Sequence, residues 1–262
     1  MSTSALQVAR TGLDAQDAKM RVIANNLANV NTTGFKRDRA NFETLAYQQM
    51  VAAGAQSTSE NKFATGLNLG SGVRIAATSR VDTQGTLNQT DNSLDLGIQG
   101  AGFFQVQQPD GSLAYTRAGN LSLSAEGNLV TSEGMAIVPQ ITVPEGATGI
   151  TIGTDGTVSA TVAGQSTPQN IGQIELARFV NTAGLNAIGD NLLTESAASG
   201  APQVGAAGSE GRGTIRQGML EGSNVNTVEE MVEMIQTQRA YEVASKMIKA
   251  TDEMMQFANQ QM

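Results

Sequence analysis

Asp91, Ser93 and Asp95 stand at the alternating spacing that opens a calcium-binding loop. Such a loop also needs Gly at its sixth position and a bidentate Glu at its twelfth. Here those places hold Leu96 and Gly102, so Asp91-Asn92-Ser93 reads as a turn. Gly97, Gly100 and Gly102 lack the spacing of a dinucleotide fingerprint and the helix that must follow it, and Gly66, Gly70 and Gly72 fail likewise. No Gly-Lys-Ser/Thr phosphate loop occurs. Carboxylate pairs could serve glycoside hydrolysis wherever the fold brings them together. Most acids, however, sit in Asp-Gly or Glu-Gly turns or on a C-terminal helix, and aromatics to stack a sugar make up only 4% of residues. The chain has no Cys and no His, which removes thiol nucleophiles, imidazole bases and Cys/His metal sites. No catalytic, metal-binding or cofactor-binding residue is therefore expected, and the reading is of a non-enzyme.

The bulk numbers narrow the classes further. A net charge of −8 argues against a nucleic-acid partner, because phosphate binding draws on cationic neutralisation. The one dense basic cluster, Lys36-Arg37-Asp38-Arg39, is interrupted by an acid. No run approaches the roughly 18 apolar residues of a membrane span. No cationic residue precedes Arg10 and no continuous apolar core follows it, so a cleaved secretory signal is not expected. On residues alone the chain reads as cytoplasmic, or as exported by a route that leaves its N-terminus uncut. The chain holds 29 Gly and no Trp, so its core should consist of small aliphatic groups and Met.

Two helices should frame whatever lies between. From Ser4 to Val30 there is no Pro and only Gly12. Leu6, Leu13, Met20 and Leu27 recur every seven residues, with Ala9, Gln16, Ile23 and Val30 at the second seam position. Asn31-Thr32-Thr33-Gly34 then ends the helix. At the other end Asn226 or Thr227 can cap, with Glu229 or Glu230 as capping-box partner. An apolar stripe follows through Val228, Met231, Ile235, Tyr241, Ala244, Ile248, Met255, Ala258 and Met262. A helix from Thr227 to Met262 would be about 50 Å long.

The middle lacks helical period. Leu96–Gln99, Gly102–Val106, Leu113–Thr116, Leu121–Ser124, Leu129–Thr131, Ile150–Ile152, Val158–Val162 and Ile171–Val180 read as short strands. Asp110-Gly111, Glu126-Gly127-Asn128 and Asp155-Gly156 punctuate them as turns. Gly54–Gly72 and Ser199–Gly213 read as flexible loops with little to bury. The fold class is α+β: long terminal helices pairing as a coiled coil, a central all-β domain, and extended connectors. The domains expected are 1–31 with 225–262 (helical), 32–85 with 200–224 (connector, with an insertion at about 47–73), and 86–199 (β-rich).

Several segments together resemble one family. Ile23-Ala24-Asn25-Asn26-Leu27-Ala28-Asn29-Val30-Asn31-Thr32-Thr33-Gly34-Phe35-Lys36-Arg37 is similar to the N-terminal signature of bacterial flagellar rod and hook proteins. Ser223-Asn224-Val225-Asn226, then Glu229-Glu230-Met231-Val232 and Gln238-Arg239-Ala240-Tyr241-Glu242, resembles their C-terminal signature. Leu94–Val106 and Tyr115-Thr116-Arg117-Ala118-Gly119 resemble the start of their β domain. The segment holding Gly54, Gln56, Gly66, Leu67, Gly70 and Gly72 resembles an insertion typical of distal-rod members.

The resemblance implies a structural subunit of the flagellar basal body, exported unfolded without signal cleavage. It would polymerise helically into a rigid hollow shaft that spans the periplasm, transmits torque and carries the export channel. The terminal helices would form an inner coiled-coil tube, with Leu6, Leu13, Met20, Ile23, Leu27, Met231, Ile235, Tyr241, Ile248 and Met255 as seams. The 47–73 segment would be a straightening clamp between neighbours. Implied partners are further copies of the chain, proximal rod proteins, hook or hook-junction proteins, the surrounding P and L rings, the export apparatus and a rod cap. No nucleic acid or small-molecule substrate is implied. The absence of Cys suits threading into an oxidising compartment. Alternatives are a proximal-rod paralogue or, in a different class, a β-rich secreted adhesin or hydrolase. Asn is a weak helix former, so the amides of Asn25, Asn26 and Asn29 are expected to bond neighbouring backbone or subunits. Lys36, Arg37 and Arg39 are expected to meet Glu229, Glu230 or Glu233 across subunits.

Overall fold

Both terminal segments are helical, α1 over Ser2–Ala28 and α2 over Thr227–Gln260, in a computed structural model that describes residues 2–56, 64–163 and 167–260. The chain divides into two compact units, residues 1–27 with 38–79 and 226–262, and residues 28–37 with 80–225.

In the first unit α1 buries Ala9, Ala15, Ile23 and Asn26 most deeply, while Leu6, Leu13, Met20 and Leu27 are half-buried beside them. Asn226 caps α2: its Oδ1 accepts from the Val228 and Glu229 amides at 3.1 and 3.4 Å. α1 and α2 touch. Lys19 pairs with Glu233 at 3.2 Å, Asn26 meets Glu230, and Gln7 and Val8 share a groove with Met247. These contacts run in opposite senses along the two helices.

At about 100° per residue, α2 has two distinct faces. Glu230 and Thr237 are buried, and Glu233, Met234, Ala240, Ala244, Ile248 and Thr251 are half-buried on one of them. Val228, Val232, Ile235, Val243, Met254 and Phe257 lie on the opposite face, and all are exposed. The inward face thus mixes small, polar and apolar groups, and the outward face carries large apolar side chains interspersed with exposed Arg239, Lys246 and Glu253. Met231, Ile235 and Tyr241, read from sequence as seam positions, are exposed by 51%, 58% and 40%. The side chains of Met255 and Ala258, and Met262 itself, lie outside the described residues.

The same unit holds two small sheets. Asp38–Thr44 pairs with Val73–Arg80. Tyr47–Val51 pairs antiparallel with Leu67–Gly70, Tyr47 opposite Gly70 and Gln48 opposite Leu69. The expected loop at 54–72 is therefore the distal part of a β-hairpin, with 57–63 outside the described residues. Gly72, at φ +110°, lies so close to Thr11 that any side chain there would strike its hydroxyl. The Val73 amide donates to that same Thr11 Oγ1 at 3.4 Å, fixing the end of the hairpin on α1.

The second unit is β-rich. A nine-stranded sheet is built around Phe103–Gln107, which pairs antiparallel with Leu113–Thr116, Ala136–Val138 and Glu175–Arg178. A three-stranded sheet adds Ala147–Ile152, Thr157–Val162 and Gln169–Gln173. Asp155-Gly156 and Glu126-Gly127 turn between adjacent strands as read from sequence. The core is aliphatic: Leu96, Ile98, Val106, Leu129, Ile137, Ile141, Ile174, Leu176 and Ile215 around Phe104. A second cluster gathers scarce aromatics, with Tyr115 and Phe179 edge to face at 4.8 Å.

Ser199–Gly213 is not a linker. Gln203–Ala206 pairs with Glu175–Arg178, and Ala207 joins the main core. Arg212 is buried, and its guanidinium donates to Ala206 O at 3.2 Å, Ser209 Oγ at 3.0 Å and Glu210 Oε2 at 2.8 Å. One arginine anchors a segment that has few apolar groups to bury. Thr214–Gln217 and Met219–Glu221 then pair with Leu96–Gln99 and Leu87–Gln89, so the expected connector at 200–224 contributes strands to the β-rich unit.

Candidate functional site

The residues that carried the family resemblance make buried polar contacts within each unit. In the helical unit Asn26 is 2% exposed. Its Nδ2 donates to Asp38 O at 2.9 Å, and its Oδ1 accepts from the Asp38 amide at 2.9 Å. The carboxamide thus pairs with one residue's backbone as a strand neighbour would. Nδ2 also donates to Glu230 Oε2 at 3.2 Å, across 204 residues of sequence. A helix-disfavouring Asn is retained here because each of its polar groups is used. Asn25 is exposed, and Asn29 accepts from the Thr32 hydroxyl at 3.1 Å.

In the β unit the chain after α1 is held by Glu221, which is fully buried. Gly34, at φ +69°, donates its amide to Glu221 O at 2.7 Å, and a side chain on it would meet the Arg117 backbone at 2.7 Å. Lys36 Nζ donates to Glu221 Oε1 at 2.6 Å and to Thr83 O at 2.8 Å. The Gly85 amide donates to the same Oε1 at 3.0 Å, and Arg117 Nη1 to Oε2 at 3.1 Å. Arg117 Nη2 reaches Gly100 O at 2.7 Å, and its guanidinium carbon lies 5.5 Å from the Phe103 ring centre. Burial pushes the Lys36 ammonium below its ordinary 10.5, against the hydrogen bond and charge of Glu221; Arg117 lowers it further and Asp82 raises it. Burial lowers Arg117 too, opposed by Glu221 and Asp82. Two cations and two carboxylates balance formally, as buried charges must.

Asn224 completes the arrangement. Its Oδ1 accepts from the Arg37 amide at 2.7 Å, its Nδ2 donates to Val81 O at 2.7 Å, and its own amide donates to Phe35 O at 3.4 Å. Ser223 Oγ accepts from the Val225 amide at 3.3 Å.

These contacts correct the expectation for Lys36. Its acid is Glu221 of the same chain, while Glu230 takes Asn26 and Glu233 takes Lys19. Sequence reasoning missed Glu221, Arg117 and Asp82 as partners. The available signal was an isolated Arg between Thr116 and Ala118-Gly119, and an acid just ahead of Gly222-Ser223-Asn224. Asp95, read as part of a turn, accepts from Thr90 Oγ1 at 2.6 Å and Asn92 Nδ2 at 3.1 Å. Among the described residues no group of three acidic or metal-ligating side chains could hold a metal ion.

Residues 6–36 match the family described as flagella basal body rod protein, and 216–261 match the C-terminal family of flagellar basal body rod FlgEFG proteins. Residues 97–160 match the D1 domain of flagellar hook protein FlgE/F/G. The flagellar basal-body rod protein FlgG of Buchnera aphidicola is 51% identical over 255 residues, 97% of this chain and 98% of its own. The FlgG of Caulobacter vibrioides is 48% identical over 257 residues, 98% of each chain. The chain belongs to the FlgG family of flagellar basal-body rod proteins. A rod protein named FlgF, also from Caulobacter vibrioides, is 35% identical over 240 residues, 90% of this chain and 88% of its own.

As a FlgG family member the chain is a structural subunit of the flagellar basal-body rod. Several large apolar side chains face outward. The hairpin exposes Tyr47, Met50, Leu67 and Leu69, and a groove of about 310 Å³ runs along Gln7, Val8, Gln48, Leu69, Gly70, Ser71 and Met247. Gly54 and Gly66 are exposed in the hairpin's distal part, as is Gln56. Arg239 and Glu242 pair at 3.0 Å on the surface of α2, and Ile248 is half-buried.

Proposed function

We propose that this chain polymerises head to tail into the distal rod, a straight hollow shaft that passes torque toward the hook and carries the export channel. The observation that carries the reading is the outer stripe of α2. Val228, Val232, Ile235, Val243, Met254 and Phe257 are exposed apolar side chains on one face of a helix whose other face is already packed, interrupted there by Arg239, Lys246 and Glu253. An exposed apolar stripe of this length marks a protein contact, and a contact repeated between unlike surfaces builds a helical filament.

In this reading α1 and α2 pair as a coiled coil in an inner tube, with Leu6, Leu13, Met20, Ile23 and Leu27 on the inner seam and the α2 stripe covered by neighbouring copies. The 47–73 hairpin is the clamp that keeps the shaft straight, offering Tyr47, Met50, Leu67 and Leu69 to an adjacent copy. The β-rich part faces outward toward the P and L rings. Proximal rod proteins, hook or junction proteins, the export apparatus and a rod cap complete the set of partners. Nothing in this role calls for a substrate or cofactor, and the protein is not an enzyme. Identity near 50% to FlgG relatives against 35% to FlgF favours the distal position over a paralogous one.

The test is complementation. A bacterium lacking its own rod subunit should regain swimming in soft agar with the wild-type chain and not with Ile235→Asp at equal expression. Motility restored equally by both would remove the α2 stripe from the account.

A further inference from the structure

We propose that residues 28–37 form a releasable arm on the β-rich unit, latched by Glu221, that can open while the sheets stay folded. No residue of this segment belongs to either apolar cluster of the unit. Half-buried Phe35 lies beside Phe103 and Leu193, and the other ties named here are polar. Gly34 donates to Glu221 O, Phe35 accepts from the Asn224 amide, Arg37 O accepts from the Val81 amide, and Asn191 Nδ2 donates to Thr33 O at 2.8 Å. The strongest tie is the Lys36–Glu221 pair at 2.6 Å.

Two features make this attachment separable from the core. Glu221 gathers segments 104 to 185 residues away in sequence, so the latch forms only once all three of them are in place. It is also electrostatically exacting. Lys36 and Arg117 converge on one carboxylate, and Asp82 Oδ1 and Arg117 Nε are buried without a hydrogen-bond partner in the protein. A cluster of that kind is lost as a unit when one charge is removed. By contrast, the strand pairs of Phe103–Gln107 rest on fully buried Phe104, Val106 and Leu176. Regions held by few apolar contacts open sub-globally, below the free energy of full unfolding. The latch therefore gives the segment after α1 a docked and an undocked state on an intact β core.

Native-state hydrogen exchange on the full-length protein tests this. In the wild type the Gly34, Arg37, Val81 and Asn224 amides should exchange through an opening that depends weakly on denaturant. The ladder amides of Phe103–Gln107 and Glu175–Arg178 should exchange only through global unfolding, with a steep dependence. In Glu221→Gln the first group should lose protection on the order of 100-fold, with the ladder amides changed far less. Equal free energies and slopes for both groups in the wild type would overturn the proposal, and so would parallel loss in the variant. The wild-type measurement stands alone if Glu221→Gln does not fold.

Discussion

Glu221 and Lys36 lie 185 residues apart in sequence, yet their side chains meet at 2.6 Å, with the carboxylate fully buried and the ammonium nearly so. The pair joins the chain's first signature to the strand just ahead of its last one. Its consequences are unequal for the two partners.

Glu221→Gln leaves Lys36 and Arg117 facing each other in a buried site. It should weaken the docking of residues 28–37 on the order of 100-fold while the sheets change far less. Lys36→Met leaves Glu221 with Arg117 and the Gly85 amide, and should weaken docking on the order of 10-fold. Exchange of the Gly34 and Arg37 amides in both variants checks the order. A larger loss in Lys36→Met would show that Arg117 is not a true partner.

Lys36 also predicts a pH dependence. Its folded-state value is lowered by burial below the unfolded 10.5. Between those two values the unfolded chain binds the more protons, so stability attributable to Lys36 rises as pH rises through that window. Below the folded value the charged ammonium is a constant penalty. Urea midpoints across the alkaline range should therefore climb more steeply, or fall less, in the wild type than in Lys36→Met. Parallel pH curves would contradict the assignment.

Asn26→Leu deprives the Asp38 amide and carbonyl of their partner and leaves Glu230 without this donor. A loss of about 1–3 kcal/mol is expected. Asn26→Asp should be at least as damaging, because it retains an acceptor for the Asp38 amide but sets a second carboxylate against Glu230. Thermal melts by circular dichroism compare the two with the wild type.

Much of this was legible in sequence. The helices begin and end within a few residues of their heptads and caps, because period and capping are local properties. Hairpins at Asp155-Gly156 and Glu126-Gly127 followed for the same reason. The two faces of α2 were harder. The stripe read from sequence begins on the outer face at Val228 and Ile235 and crosses to the inward face at Ala244 and Ile248, because the inward face also carries Glu230 and Thr237 and offers no purely apolar line. Ser199–Gly213 looked empty because its anchor is the Arg212 guanidinium bonding backbone carbonyls, a contact without periodicity. The partner of Lys36 could not be read at all. Tertiary contact alone selects Glu221 over the acids of α2.

The most direct test of the account is electron microscopy of the purified full-length protein beside Ile235→Asp, Ile235 being exposed on the outer face of α2. The wild type should form short straight tubes as concentration rises. The variant should keep the same circular dichroism spectrum and remain unassembled. A wild-type protein that stays monomeric with ordered helices, or a variant that forms the same tubes, would contradict the assembly role of α2.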